Sequence, residues 1–309
     1  MKNFFFLLLT SLLFISCKSS YTKIGDDNAN YIPYYLKVYE ADSLFLSKKY
    51  SESYKILDDL FKKYEPINLE GSTYEYGNYL ASALMSGNIK NLKQKVEYGY
   101  KSFGSISNSN YMSFYYTDTI LKTVKISKDE IDSLKKIYTS NINYDLRNEI
   151  VKMVNEDQEI RKTGDNESIY QFTVKQLGEI KKILKEFGYP SYKIIGSNIG
   201  YDFNELATFD LLFLHQKNDY LEQILPFLYE NVKKGKLGPE EYATIYDRYI
   251  WNKSSKKEGE QYFGSYTNKG KPSLELIDEK NKNKIRKDIG LPSLEYILWR
   301  YNYYNSSIN

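Results

Sequence analysis

The second half of the chain carries acids, amides and arginines at spacings where they could act together. Asp157 and Arg161 stand one helical turn apart with Gln158 beside them, so an acid and a planar cation can pair or each reach a facing helix. His215 is the single histidine, and the one side chain whose ordinary pKa suits proton transfer near neutrality. Asp247-Arg248 and Gln261-Tyr262 follow. If these residues converged on one cleft, His215, Asp157 or Asp247 would serve as general base. Arg161 and Arg248, with Gln158, Gln261 and Tyr262, would hold an anionic group. The same set also suits a buried polar network that fixes helix register, and a histidine ending an apolar helix also serves as a packed, hydrogen-bonded residue.

Several chemistries are missing. There is no Gly-x-Ser-x-Gly elbow and no phosphate-cradling glycine loop. One cysteine and one histidine cannot build a Cys/His metal site, so a metal would have to rest on carboxylates, and no motif calls for a cofactor. Of 43 basic residues only five are arginine, at 147, 161, 248, 286 and 300, which suggests positions needing a planar fork for carboxylates. Lys+Arg 43 against Asp+Glu 40 is nearly balanced and the lysines are scattered, which argues against nucleic acid as a partner.

Helical periodicity must position these residues, and the fold class expected is all-α. Ile150, Met153 and Val154 make an apolar stripe over Asp145 to Arg161 that Asp157, Gln158 and Arg161 continue rather than oppose. A second helix ends at Gly188 and Pro190, and Tyr192 to Gly196 reads as extended. An apolar helix is expected from about Asn204 to Gln216, ending in His215. Another runs from Tyr220 to Lys233 with a kink at Pro226. Gly238-Pro239-Glu240-Glu241 starts the next, with proline and acids in its first turn. The stretch Gly259 to Gly264 breaks the pattern before a short last pair of helices.

The first half reads as helical hairpins. Ala41, Leu44 and Phe45 face one way before a turn at Lys49-Tyr50, and Ser53, Leu57, Leu60, Phe61 and Tyr64 recur helically before Pro66. This layout resembles a tetratricopeptide repeat, although Ala41 and Ala81 are 40 residues apart where that repeat has about 34. A second pair turns at Gly87-Asn88, and a third spans Tyr111 to Val124 and Lys128 to Tyr138, with Ser127 and Glu130 as a capping box.

From about Tyr144 to Tyr301 the chain resembles a bacterial domain family of unknown function. The resemblance rests on Asp157-Gln158-x-x-Arg161, Gly188-x-Pro190 with Gly196, His215, Asp247-Arg248, Gln261-Tyr262 with Gly264, and Arg286 with Gly290-Leu291. The chain departs from the pattern where Phe263 is inserted and Ser265 follows Gly264. The resemblance implies a shared helical domain and a shared set of polar residues, and no reaction.

At the other end, Lys2, the apolar run Phe4 to Phe14 and Phe14-Ile15-Ser16-Cys17 resemble a bacterial lipoprotein signal. The run is far shorter than the ~20 residues that span a bilayer. Cleavage before Cys17 and acylation of its thiol, palmitate included, would tether the chain to a membrane. Lys18, with no acid beside the cysteine, favours the outer membrane of the cell envelope. The expected organisation is signal peptide 1–16, flexible linker 17–30, hairpin domain 31–140 and helical domain 141–309. Two functions stand at this level. One is a membrane-anchored scaffold binding a protein or peptide through residues 31–140. The other is an enzyme or small-ligand-binding protein using a polar cleft of Asp157, Arg161, His215, Asp247, Arg248 and Gln261.

Overall fold

Proline at the start of a helix loses no bond that the helix would have made, and Pro33 sits in the first turn of α1 (Ile32–Leu46). A computed structural model describes residues 21–71 and 73–307; the signal segment expected through Cys17 lies outside them. After a tight turn, α2 (Tyr50–Phe61) folds back and buries Ser53, Leu57 and Leu60 against α1. Ser53 ties the two helices together: its hydroxyl donates to the Ala41 carbonyl at 2.9 Å. Helices α3 (Tyr74–Met85) and α4 (Leu92–Phe103) repeat the hairpin, and α3 packs on both α1 and α2. α4 stops at Gly104, whose φ of 71° favours glycine; a Cβ there would lie 2.5 Å from the Tyr138 ring. Short α5 (Thr117–Val124) and α6 (Lys128–Ser140) complete the half, and the Ser127–Glu130 capping box forms as its sequence predicts.

The fold is all-α. In the second half, Asn143 caps α7 (Tyr144–Lys162) and Asp165 caps α8 (Asn166–Phe187). The 192–196 stretch, expected to be extended, is instead a single turn, α9 (Tyr192–Ile195). The continuous helix expected over 204–216 is also absent. Two 3-10 segments, Phe203–Glu205 and Phe209–His215, take its place. The tighter 3-10 winding places residues three apart one above the other, and Phe209 and Leu212 enter the core together with Phe213. Then α10 (Asn218–Lys233) continues through Pro226, and α11 (Pro239–Lys253) starts at the predicted proline.

Two-residue strands carry the glycine-rich segment: β1 (Glu260–Gln261) pairs parallel with β4 (Glu275–Leu276), and β2 (Thr267–Asn268) antiparallel with β3 (Lys271–Pro272). α12 (Lys282–Asp288) and α13 (Leu294–Ser307) close the chain.

A division near residue 140 has no counterpart in the core, because one apolar cluster takes in Tyr31, Leu80 and Val96 together with Ile150, Phe209, Leu228 and Leu291. Tyrosines stitch the halves through their hydroxyls, as a buried phenol must find an acceptor. Tyr35 donates to the Val232 carbonyl at 2.8 Å, and Tyr296 of α13 donates to the buried Asp42 of α1. Nor is all of the expected linker loose. Thr22 bonds to Lys63 and accepts from Glu65, while Gly25 donates to Lys234 at 2.8 Å. Those bonds pin residues 21–30 between the halves, so polar composition here reflects backbone pairing rather than a free spacer.

Candidate functional site

Most of the predicted polar residues fall into two hydrogen-bond networks instead of one shared pocket, while the buried Arg248 Nε makes no hydrogen bond among the described residues. In the first, Asp157 of α7 is fully buried and meets Arg161 in a fork, with Nη2 at 2.8 Å and Nε at 3.1 and 3.2 Å. Gln158 donates to the same carboxylate at 3.2 Å, and His215 Nδ1 lies 2.6 Å from Oδ2. Burial alone would raise this carboxyl. Hydrogen bonds and charge from His215 and Arg161 outweigh it and hold the group below the usual carboxylate range. His215, 22 % exposed, is thereby oriented with Nε2 making no hydrogen bond among the described residues. The imidazole is positioned for proton work, yet the cavities described below are lined by other residues.

The second network is a clamp on the glycine-rich segment. Asp247 of α11 is fully buried and accepts from the backbone N–H groups of Tyr262 (2.6 Å), Phe263 (2.8 Å) and Ser265 (2.8 Å), and from the Ser265 hydroxyl (2.8 Å). Gln261 donates to Leu274 O at 2.7 Å and accepts from Tyr266 N at 3.1 Å, so its amide is engaged on both sides. The inserted Phe263 is part of this device: its N–H meets Asp247 and its carbonyl accepts from Arg286 at 2.6 Å. Tyr262 packs its ring on Tyr246 at 5.4 Å, and the Arg248 guanidinium lies 4.7 Å from the Trp251 ring centre.

The arginines correct an expectation, since carboxylates are not their general partner. Arg161 pairs with an acid, and Arg300 Nε stands 3.4 Å from Asp42. Arg147, buried, instead gathers the carbonyls of Ile195, Gly196, Ser197 and Glu205 within 3.4 Å and stacks on Tyr201 at 4.0 Å. Arg286 likewise holds the Pro292 and Phe263 carbonyls. A guanidinium has five donors in a fixed fork, which suits loop carbonyls that have no other N–H partner.

The open space lies elsewhere, between the hairpins and the turn after α8. A cleft of about 580 Å³ is lined by Glu65, Tyr98, Lys101, Phe103, Tyr138 and Tyr192, within the size range of ligand sites. Lys193 on its wall pairs with Glu65 at 2.7 Å. Asn68, Ser191, Tyr192, Lys193 and Lys236 continue from the cleft into a recess of about 30 Å³, whose walls add Tyr189, Asp210 and Glu241. Burial pushes the Asp210 carboxyl up to about 6, and its own backbone N–H is the one group that opposes the shift. Burial also raises the Tyr189 phenol, and the charges of Asp210 and Glu241 raise it further.

Sequence reading missed this site. One signal was present: Asp210 is the lone charge within the apolar run Leu206 to Leu214. Tyr189 lies inside Gly188-x-Pro190, and Glu241 reads from sequence as a first-turn acid of α11.

Among the described residues, no three His, Cys, Asp or Glu side chains are gathered to hold a metal ion, and no helix is long and apolar enough to cross a membrane. Compared with protein-family models, curated proteins and solved structures, the chain gives no match.

Proposed function

We propose that this is a lipid-anchored protein of the bacterial envelope, attached through Cys17 to the outer membrane, whose cleft binds a segment of peptide. The anchor rests on the sequence from Lys2 to Cys17. The observation that carries the binding reading is the cleft itself. It has room of about 580 Å³, aromatic walls in Tyr98, Phe103, Tyr138 and Tyr192, and polar groups in Asn68, Asn141, Lys101 and Lys236. Aromatic rings give area at low entropic cost, and the amides and ammonium groups suit the donors and acceptors of a peptide backbone. Helices α4 and α6 supply one wall, so the hairpin half contributes to binding as its layout suggests. The enzyme reading built on Asp157, Arg161, His215, Asp247, Arg248 and Gln261 draws no support from geometry, because most of these side chains are engaged with each other or with backbone.

The test is a photo-crosslinking amino acid at position 98 in the full chain in intact cells, compared with position 115 on the exposed Tyr115. A defined peptide adduct at 98 and none at 115 is the expected result. Equal labelling at both positions, or none at 98, would sink the binding reading. For the anchor, Cys17→Ala should abolish incorporation of labelled palmitate; persistent label would refute it.

A further inference from the structure

The recess at the floor of the cleft holds two polar side chains, Tyr189 and Asp210, that make no side-chain hydrogen bond among the described residues. Tyr189 is 5 % exposed, and its hydroxyl makes no hydrogen bond among the described residues. Asp210 receives its own backbone N–H and no side-chain donor among the described residues. Glu241 stands on the same wall. A partly buried carboxylate with no side-chain donor is costly to keep charged, so this arrangement suits the arrival of a cation. The resident candidate does not supply one. The Lys236 ammonium forms no ion pair among the described residues, and lies 3.8 Å from where a Cβ on Gly188 would stand. The space, about 30 Å³, fits a small head group.

We infer that this recess is a subsite for a primary ammonium group, and that the bound segment inserts one, from its amino terminus or from a lysine side chain. An ammonium has three donors, and Asp210 and the Tyr189 oxygen can accept two of them. An anionic group would face Asp210 and Glu241, and a neutral hydroxyl would leave the Asp210 charge uncompensated. The inference rests on the cleft being a peptide site.

The test titrates the purified chain, by ligand-observed NMR, with three probes. Nα-acetyl-lysine amide presents a side-chain ammonium, alanine amide presents an α-ammonium, and Nα,Nε-diacetyl-lysine amide presents neither. At least one of the first two should bind and the third should not. Whichever binds identifies the source of the ammonium group. Asp210→Asn should weaken binding about tenfold or more, Tyr189→Phe by about threefold, and Tyr115→Ala, on exposed surface that lines neither cleft nor recess, should have no effect. Unfolding curves of the variants confirm that each is folded. Equal binding of the diacetylated probe, or unchanged affinity in Asp210→Asn, overturns the inference. Crosslinking from position 98 separates the two failures. If the adduct persists while no probe discriminates, only the ammonium subsite is wrong; if the adduct is also missing, the cleft reading falls with it.

Discussion

Asp157 and Asp210 are both acids set among apolar residues in the same half of the chain, yet their surroundings treat them oppositely. Asp157 is met by Arg161, Gln158 and His215, and its carboxyl titrates below the usual range. Asp210 is met by a cavity, and burial lifts its carboxyl to about 6. A polar group that the fold satisfies is a structural tie. One that the fold leaves waiting at the wall of a cavity has room for a ligand. By that criterion the tie network around Asp247 belongs with Asp157, and Tyr189 belongs with Asp210.

The comparison breaks most visibly at Asp247. Replacing it with Ala leaves the N–H groups of Tyr262, Phe263 and Ser265 without their acceptor, and should cost about 3–5 kcal/mol in urea unfolding. A loss below about 1 kcal/mol would show that this segment does not depend on the clamp.

At Asp157 the expected loss is smaller, about 2 kcal/mol for Asp157→Asn at pH 7, since the amide keeps some of the bonds. The sign with pH follows from a depressed carboxyl. Its stabilisation is present above the unfolded carboxylate range near about 4 and disappears as pH falls below it, so wild type and variant should converge in acid. A difference that stays constant from pH 7 to pH 3 would contradict the pairing.

Asp210→Asn sharpens the contrast because its effect runs the other way. A carboxyl raised in the folded state stabilises the fold below about pH 4 and loses that contribution as pH climbs through about 6. With Glu241, Lys193 and Lys236 around it, the neutral amide should therefore gain about 1–2 kcal/mol at pH 7 and nothing at pH 4. This variant should become more stable while losing ligand, whereas Asp157→Asn should become less stable and keep it. Smallest is Ser127→Ala, which removes one cap bond of α6 and should cost about 1 kcal/mol, visible in hydrogen exchange of that helix.

Much of the architecture was legible from local signals. The capping box at Ser127, the proline starts of α1 and α11 and the apolar stripe of α7 each need only a few neighbouring residues to be decided. The 3-10 winding at Phe209–His215 was not legible, because an apolar run favours any helical winding and packing alone selects the tighter one. The polar residues were legible as unusual and illegible as partners. The Asp157–Arg161 pair follows from spacing within one helix, but the His215 contact spans 58 residues.

The amino-acid sequence by itself determined that the chain is helical, where most helices begin and end, and which polar residues stand out from their stripes. Those properties are set by periodicity and capping within a turn or two. Tertiary structure decided that most of the notable residues close on each other or on backbone, while Tyr189, Asp210 and Lys236 line a shared recess. The reason is geometric: whether a buried polar group is satisfied depends on elements that fold back from far along the chain, and no local pattern records that.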